Sequence, residues 1–123
     1  AADTTVTLDG NILGKPADAA EAFDMLRSLS GRTHQVFTAV AVIAHNRLNE
    51  VLQRSQVRFA EISEETLKAY CATQEPYDKA GSYGVQGLAA QFIEHISGSY
   101  TGIMGLPLFE TSRLLKQAGI RML

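Results

Sequence analysis

The run from His34 to Ile62 constrains the fold more than any other part of the chain. His34–Ile43 (HQVFTAVAVI) is dense in β-branched and apolar residues. Val51–Ile62 alternates through Val51, Gln53, Ser55, Val57 and Phe59, with Gln56, Arg58 and Glu61 polar. Alternation with period two lets one face of a strand be buried while the other meets water. With a polar turn at Ala44–Asn49 between them, the two runs predict a long antiparallel hairpin. A hairpin of that length needs a layer to cover its apolar face, and helical segments on both sides in sequence can supply one.

Those segments are legible from their ends. Thr4–Leu8 reads as a strand, Asp9–Asn11 as a turn and Ile12–Leu13 as a short return strand. Asp18 can cap a helix running to about Leu29, with Ala19, Ala22, Phe23, Leu26 and Leu29 as its buried stripe and Gly31 as its stop. Ser63 opens a shorter helix to about Thr73, with Thr66 where a capping box would place Glu. Ala89–Ile96 is expected to be a strand, and Ser99–Met104 another. Pro107 suits the first turn of a final helix ending at Gly119, with Leu108, Thr111, Leu114 and Leu115 inward. Strands and helices intermix, so the expected class is α/β: a mixed twisted sheet with flanking helices.

The 123 residues suffice for one domain with a core, 1–123, and the 46% hydrophobic and 20% charged content is that of a globular chain. A net charge of −2 gives no field for a nucleic acid or an anionic membrane, so an anionic ligand would need local cations. No run of eighteen apolar residues and no leader pattern occur, and a single cysteine, Cys71, excludes an internal disulfide. The expected location is cytoplasmic. Cys71 reads as a buried small hydrophobe.

Residues able to carry chemistry are few. Asp3 stands before a β-branched strand, where a carboxylate can hold a hard cation or take a proton from water; a lone Asp near a terminus is more often just solvated. Lys15 sits in a Gly-Lys-Pro turn that restricts its stem, although turn lysines are common. Asp78-Lys79 leads into Gly81, Gly84 and Gly87, where glycines permit close approach of backbone to a ligand and Lys79 adds charge. Gln86 in this loop can donate and accept. The loop fits neither the P-loop nor the dinucleotide pattern, and taken alone it is a structural turn. His34, His45 and His95 have no metal spacing: His34 reads as a strand start, His45 as a turn residue and His95 as a solvent-facing sheet residue. No Gly-x-Ser-x-Gly elbow is present.

Taken in order, the blocks A-D-T-T-V at 2–6, I-L-G-K-P at 12–16, L-S-G-R-T-H-Q-V at 29–36, E-P-Y-D-K-A-G-S-Y-G-V-Q-G at 75–87, G-S-Y at 98–100 and G-L-P-L-F-E-T at 105–111 resemble the Maf family along essentially the whole chain. These are septum-formation-inhibitor proteins that act as nucleoside triphosphate pyrophosphatases. The resemblance implies that Asp3 is the proton acceptor and a metal ligand, with Mg²⁺ or Mn²⁺ as cofactor. It implies that Thr4 and Gln86 govern substrate choice, that Lys15 belongs to the G-K-P turn, and that Asp78 and Lys79 lie at the phosphate end of the nucleotide. The words Y-G-V-Q-G resemble the dTTP/UTP branch; a Ser-Glu pair in place of Val-Gln marks the branch acting on 7-methyl-GTP.

The family's S-x-S-P-R-R loop has no counterpart here, and Ala2 replaces the usual glycine before the catalytic Asp. The chain is therefore expected to correspond to the C-terminal two-thirds of a family domain, with a sheet edge left open to a homodimer. The alternatives are a nucleotide- or partner-binding module linked to cell division, without turnover, and a 7-methyl-GTP-type enzyme.

Overall fold

In the computed structural model, which describes residues 1–121 and 123, the hairpin forms the centre of a five-stranded sheet. Strand β1 spans Ala2–Leu8, β2 Asn11–Leu13, β3 Thr33–Ala44, β4 Arg47–Phe59 and β5 Ile93–Ser97. Their order is β2-β1-β3-β4-β5. Within this α/β architecture the four strand pairings are all antiparallel, rather than mixed. β1–β2 and β3–β4 are tight hairpins, which run antiparallel, and β1–β3 and β4–β5 are antiparallel across longer connections that contain α-helices.

The β3–β4 turn is tighter than the pattern predicts. Pairing runs to Ala44↔Arg47, leaving His45 and Asn46 as a two-residue loop with φ of 52° and 59°. Two left-handed residues match the right-handed twist of the flanking strands. His45 is exposed there, and His95 is exposed on β5, as expected.

Side chains buried in the sheet alternate along one face: Val6 and Leu8 on β1, His34, Val36, Thr38 and Val40 on β3, Ser55, Val57 and Phe59 on β4. Helix α1 (Ala19–Leu29) covers it with Ala22, Leu26 and Leu29. Its cap is as predicted, Glu21 N–H donating to Asp18 Oδ1 at 2.9 Å. Ala19 is exposed, so the stripe begins at Ala22. Helix α2 (Glu64–Cys71) is capped by Ser63 and buries Leu67, Tyr70 and Cys71. On the other face Leu52 is exposed, and the Arg54 guanidinium lies over the Phe37 ring at 5.5 Å.

Two predicted strands are corrected. Leu88–Phe92 is a 3₁₀ segment, so β5 begins only at Ile93. The Leu88 and Ala89 N–H groups are taken by the Glu75 carboxylate, which removes them from any ladder. Ser99–Met104 is not a strand but leads into helix α3 (Tyr100–Met104). Ser99 Oγ accepts from Gly102 N–H at 2.9 Å, and Gly105 ends the helix at φ 121°. Local capping overrides the β-forming composition of the segment. Helix α4 (Leu108–Gln117) follows with Pro107 as its cap; Thr111 and Leu114 are buried, whereas Leu108 is exposed.

Candidate active site

All six residues singled out from the sequence, Asp3, Thr4, Lys15, Asp78, Lys79 and Gln86, line one cavity of about 310 Å³. They come from three places. Asp3 and Thr4 lie on β1, Lys15 on the turn after β2, and the others on the segment between α2 and β5. Val6, Val36, Ile103 and Met104 supply an apolar wall.

A single backbone bond ties two of these places together. Gly81 N–H donates to the Gly14 carbonyl at 3.1 Å, joining the Gly-Lys-Pro turn to the Asp78–Gly87 segment. Gly81 has φ 74°, and a Cβ there would stand 3.0 Å from Val6 Cγ1. Both facts favour glycine. The other two glycines are also explained by packing. A Cβ on Gly84 would meet the Lys79 stem at 2.9 Å, and one on Gly87 would overlap the Glu75 carboxylate at 2.0 Å. The close approaches these glycines make are thus to side chains of the protein itself, where the sequence suggests approach to a ligand.

Glu75 is the residue whose role the sequence leaves unannounced. Its carboxylate accepts hydrogen bonds from the Tyr70 hydroxyl, from Leu88 N–H at 2.8 Å and from Ala89 N–H at 3.2 Å. Its carbonyl accepts from Lys79 Nζ at 3.2 Å. Burial alone would raise the Glu75 carboxyl; the three bonds and the Lys79 charge outweigh it and hold the group below its ordinary range. Burial, then the bond to Glu75, pushes the Tyr70 hydroxyl well above its ordinary value. The proton therefore stays on Tyr70, and Glu75 stays ionised. Only the spacing to Asp78-Lys79 hints at this role, because a Glu before a proline more often faces solvent.

An aromatic cluster in the core meets the cavity through Tyr83. His34, Phe59, Tyr83, Phe92 and Tyr70 form a series of edge-to-face contacts with centroids 4.8 to 5.4 Å apart. His34 Nε2 and Tyr83 Oη are 2.6 Å apart, and burial lowers the imidazole from 6.5 to about 4. His34 is hence neutral at physiological pH. Tyr83 reaches the cavity and anchors the Gly-rich segment to the sheet.

The charged rim differs. Asp3 and Lys15 are exposed, and neither has a hydrogen-bond or ion-pair partner among the described residues. Lys79 bonds Asp78 Oδ1 at 2.8 Å, which holds the Asp78 carboxyl below its ordinary range. No cluster of three His, Cys, Asp or Glu side chains occurs among the described residues. Asp3 and Asp78 are the carboxylates that line the cavity, and Mg²⁺ is commonly held by one or two carboxylates with phosphates and water as its other ligands. Among those residues no helix is long and apolar enough to cross a membrane.

The chain is similar to proteins named as nucleotide pyrophosphatases. A dTTP/UTP pyrophosphatase of Ralstonia nicotianae is 60% identical over 119 residues, covering 96% of this chain and 58% of the relative. One from Bordetella parapertussis is 57% identical over 120 residues, covering 98% and 58%. A nucleoside triphosphate pyrophosphatase of Haemophilus ducreyi is 54% identical over 122 residues, covering 99% and 62%. The chain spans about 58 to 62% of the length of these relatives. The family model described as Maf-like protein matches residues 1–118. With that match over nearly its whole length, the chain belongs to the Maf family.

Proposed function

We propose that the cavity binds a pyrimidine nucleoside triphosphate, dTTP or UTP, and that the protein hydrolyses it to the monophosphate and pyrophosphate. The observation that carries this reading is the convergence of Asp3, Thr4, Lys15, Asp78, Lys79 and Gln86 on one cavity. The names of the 54 to 60% identical relatives support it.

The reaction needs a water aimed at the α-phosphorus, a group to take its proton, and positive charge where the leaving pyrophosphate gathers its own. Asp3 is exposed and unpartnered among the described residues, so its carboxylate can accept that proton. Lys15 and Lys79 supply charge to the phosphates, and Asp78 holds Lys79 in place. Gln86 presents a neutral amide to the base. A divalent cation, Mg²⁺ or Mn²⁺, held by Asp3 would neutralise further triphosphate charge when bound. The neutral edge of uracil or thymine suits Gln86, whereas a carboxylate would suit cationic 7-methylguanine, so Gln86→Glu is expected to shift preference away from pyrimidines.

The edge of β1 supports a homodimer. Strand β2 pairs with Val6–Leu8, and among the described residues no strand pairs with that side of Ala2–Thr5. Within the cell, nucleotide hydrolysis of this kind fits the cytoplasm, and the family's link to septum formation fits a role in division.

The test is pyrophosphate release with Mg²⁺ from dTTP, UTP, CTP and 7-methyl-GTP. Release from dTTP and UTP that is lost in Asp3→Asn is expected. Release from 7-methyl-GTP alone would contradict the pyrimidine reading. No release, with nucleotide still bound, would leave a binding module without turnover.

A further inference from the structure

Thr4 faces Thr38 across the β1–β3 pair, with their Oγ1 atoms 3.1 Å apart. Thr38 is wholly buried, and its hydroxyl donates to the Gly102 carbonyl of α3 at 2.6 Å. A carbonyl oxygen only accepts, and a threonine hydroxyl has a single hydrogen. The Thr38 hydrogen is thereby committed to Gly102. The contact between the two threonines then has one consistent polarity: Thr4 donates and Thr38 accepts. That leaves Thr4 Oγ1 with lone pairs and no hydrogen to offer the cavity it lines.

We infer that the Thr38–Gly102 bond fixes Thr4 as an acceptor-only group, so that Thr38 is a positioning residue for base selection and the site takes a base with an N–H at N3. The inference rests on the nucleotide reading of the cavity. Uracil and thymine carry a hydrogen at N3; cytosine carries a lone pair there, which would face the lone pairs of Thr4. Gln86 cannot make this distinction alone. Its amide offers both a donor and an acceptor, and it is exposed with no bond to a described residue holding either end in place. The polarity-fixed element is therefore on β1, and its control lies one strand away, outside the cavity lining.

The test compares UTP and CTP binding to the chain by calorimetry, for the wild type, Thr38→Val and Thr38→Ser. The wild type is expected to prefer UTP by roughly 10- to 100-fold, as leaving two acceptors face to face costs a hydrogen bond and its desolvation. Thr38→Val keeps the shape but releases the Thr4 hydrogen, so the preference is expected to fall below about 3-fold, mainly through tighter CTP binding. Thr38→Ser restores the acceptor and donor and keeps the wild-type ratio. A purely structural role for Thr38 would weaken both nucleotides equally and leave the ratio unchanged, which overturns the inference. If Thr38→Val does not fold, Thr4→Val serves instead: UTP weakens and CTP does not. Equal binding of UTP and CTP by the wild type overturns the inference while the nucleotide site stands. Binding of neither overturns both.

Discussion

The two walls of the cavity are built on opposite plans. The wall from Glu75 to Ala89 is knotted: one carboxylate receives three hydrogen bonds, Lys79 is tethered twice, and three glycines fit against neighbouring side chains. The wall carrying Asp3 and Lys15 is bare: both side chains are exposed and without a partner among the described residues. Fixed groups position a ligand at little entropic cost, whereas free charged groups keep their full interaction for the ligand. On the proposed function, this difference gives positioning to one wall and reaction to the other.

That division can be broken by mutations that separate stability from function. Asp3→Asn is expected to lower pyrophosphate release by about 10²- to 10⁴-fold, the usual worth of a general base. Its stability should change by no more than ~0.5 kcal/mol, as for exposed sites. A large loss in melting temperature for this variant would mean that the bare wall is structural after all.

The aromatic cluster behind Tyr83 makes the next largest prediction. His34 has its pKa lowered from 6.5 to about 4 by burial, so between those values the unfolded chain binds a proton that the native state does not. The stability associated with a neutral His34 is fully present above about pH 6.5 and is lost as pH falls toward 4. The total is about 3 kcal/mol. Urea midpoints measured from pH 7.5 to 4 should show this decline, and His34→Gln should remove that part of the slope. An equal slope in the variant would place the acid sensitivity elsewhere.

Glu75→Gln sharpens the contrast on the knotted side. The amide places an NH₂ where one of three donors now finds an oxygen, and it removes the charge that strengthens the other bonds. A loss of about 2 kcal/mol is expected, with weaker nucleotide binding through the displaced Gln86 and Lys79. Unchanged thermal unfolding would show the knot to be decoration. Gly81→Ala should cost about 1 to 2 kcal/mol, from a left-handed φ and the crowding of Val6. Gly10, also left-handed but with open space around it, should cost only the backbone part when changed to Ala, and calorimetric melts of the two variants check this.

What the sequence made legible follows from the range of the forces involved. The β3–β4 hairpin, α1 and α2 are announced by periodicity and capping residues within one segment, and they lie within a few residues of where those signals put them, with a tighter β3–β4 turn and a shorter α2. Ser99–Met104 reads as a strand because its composition suits one, yet Ser99 as a cap and Gly105 as a stop decide for a helix. Leu88–Phe92 fails for a longer-range reason: its backbone donors are claimed by Glu75, distant in sequence. The candidate site divides the same way. Its six residues were visible as motifs, but Glu75 and Thr38 act only through partners that the fold brings to them.

The most direct test of the central claim is an ¹⁵N–¹H titration of the chain with UTP and Mg²⁺. The two-wall account predicts shifts confined to the backbone amides of Asp3, Thr4, Lys15 and the Lys79–Gly87 segment, with β5 and α4 unmoved. Shifts centred on α4 and the β3–β4 turn, or none at saturating nucleotide, would contradict it.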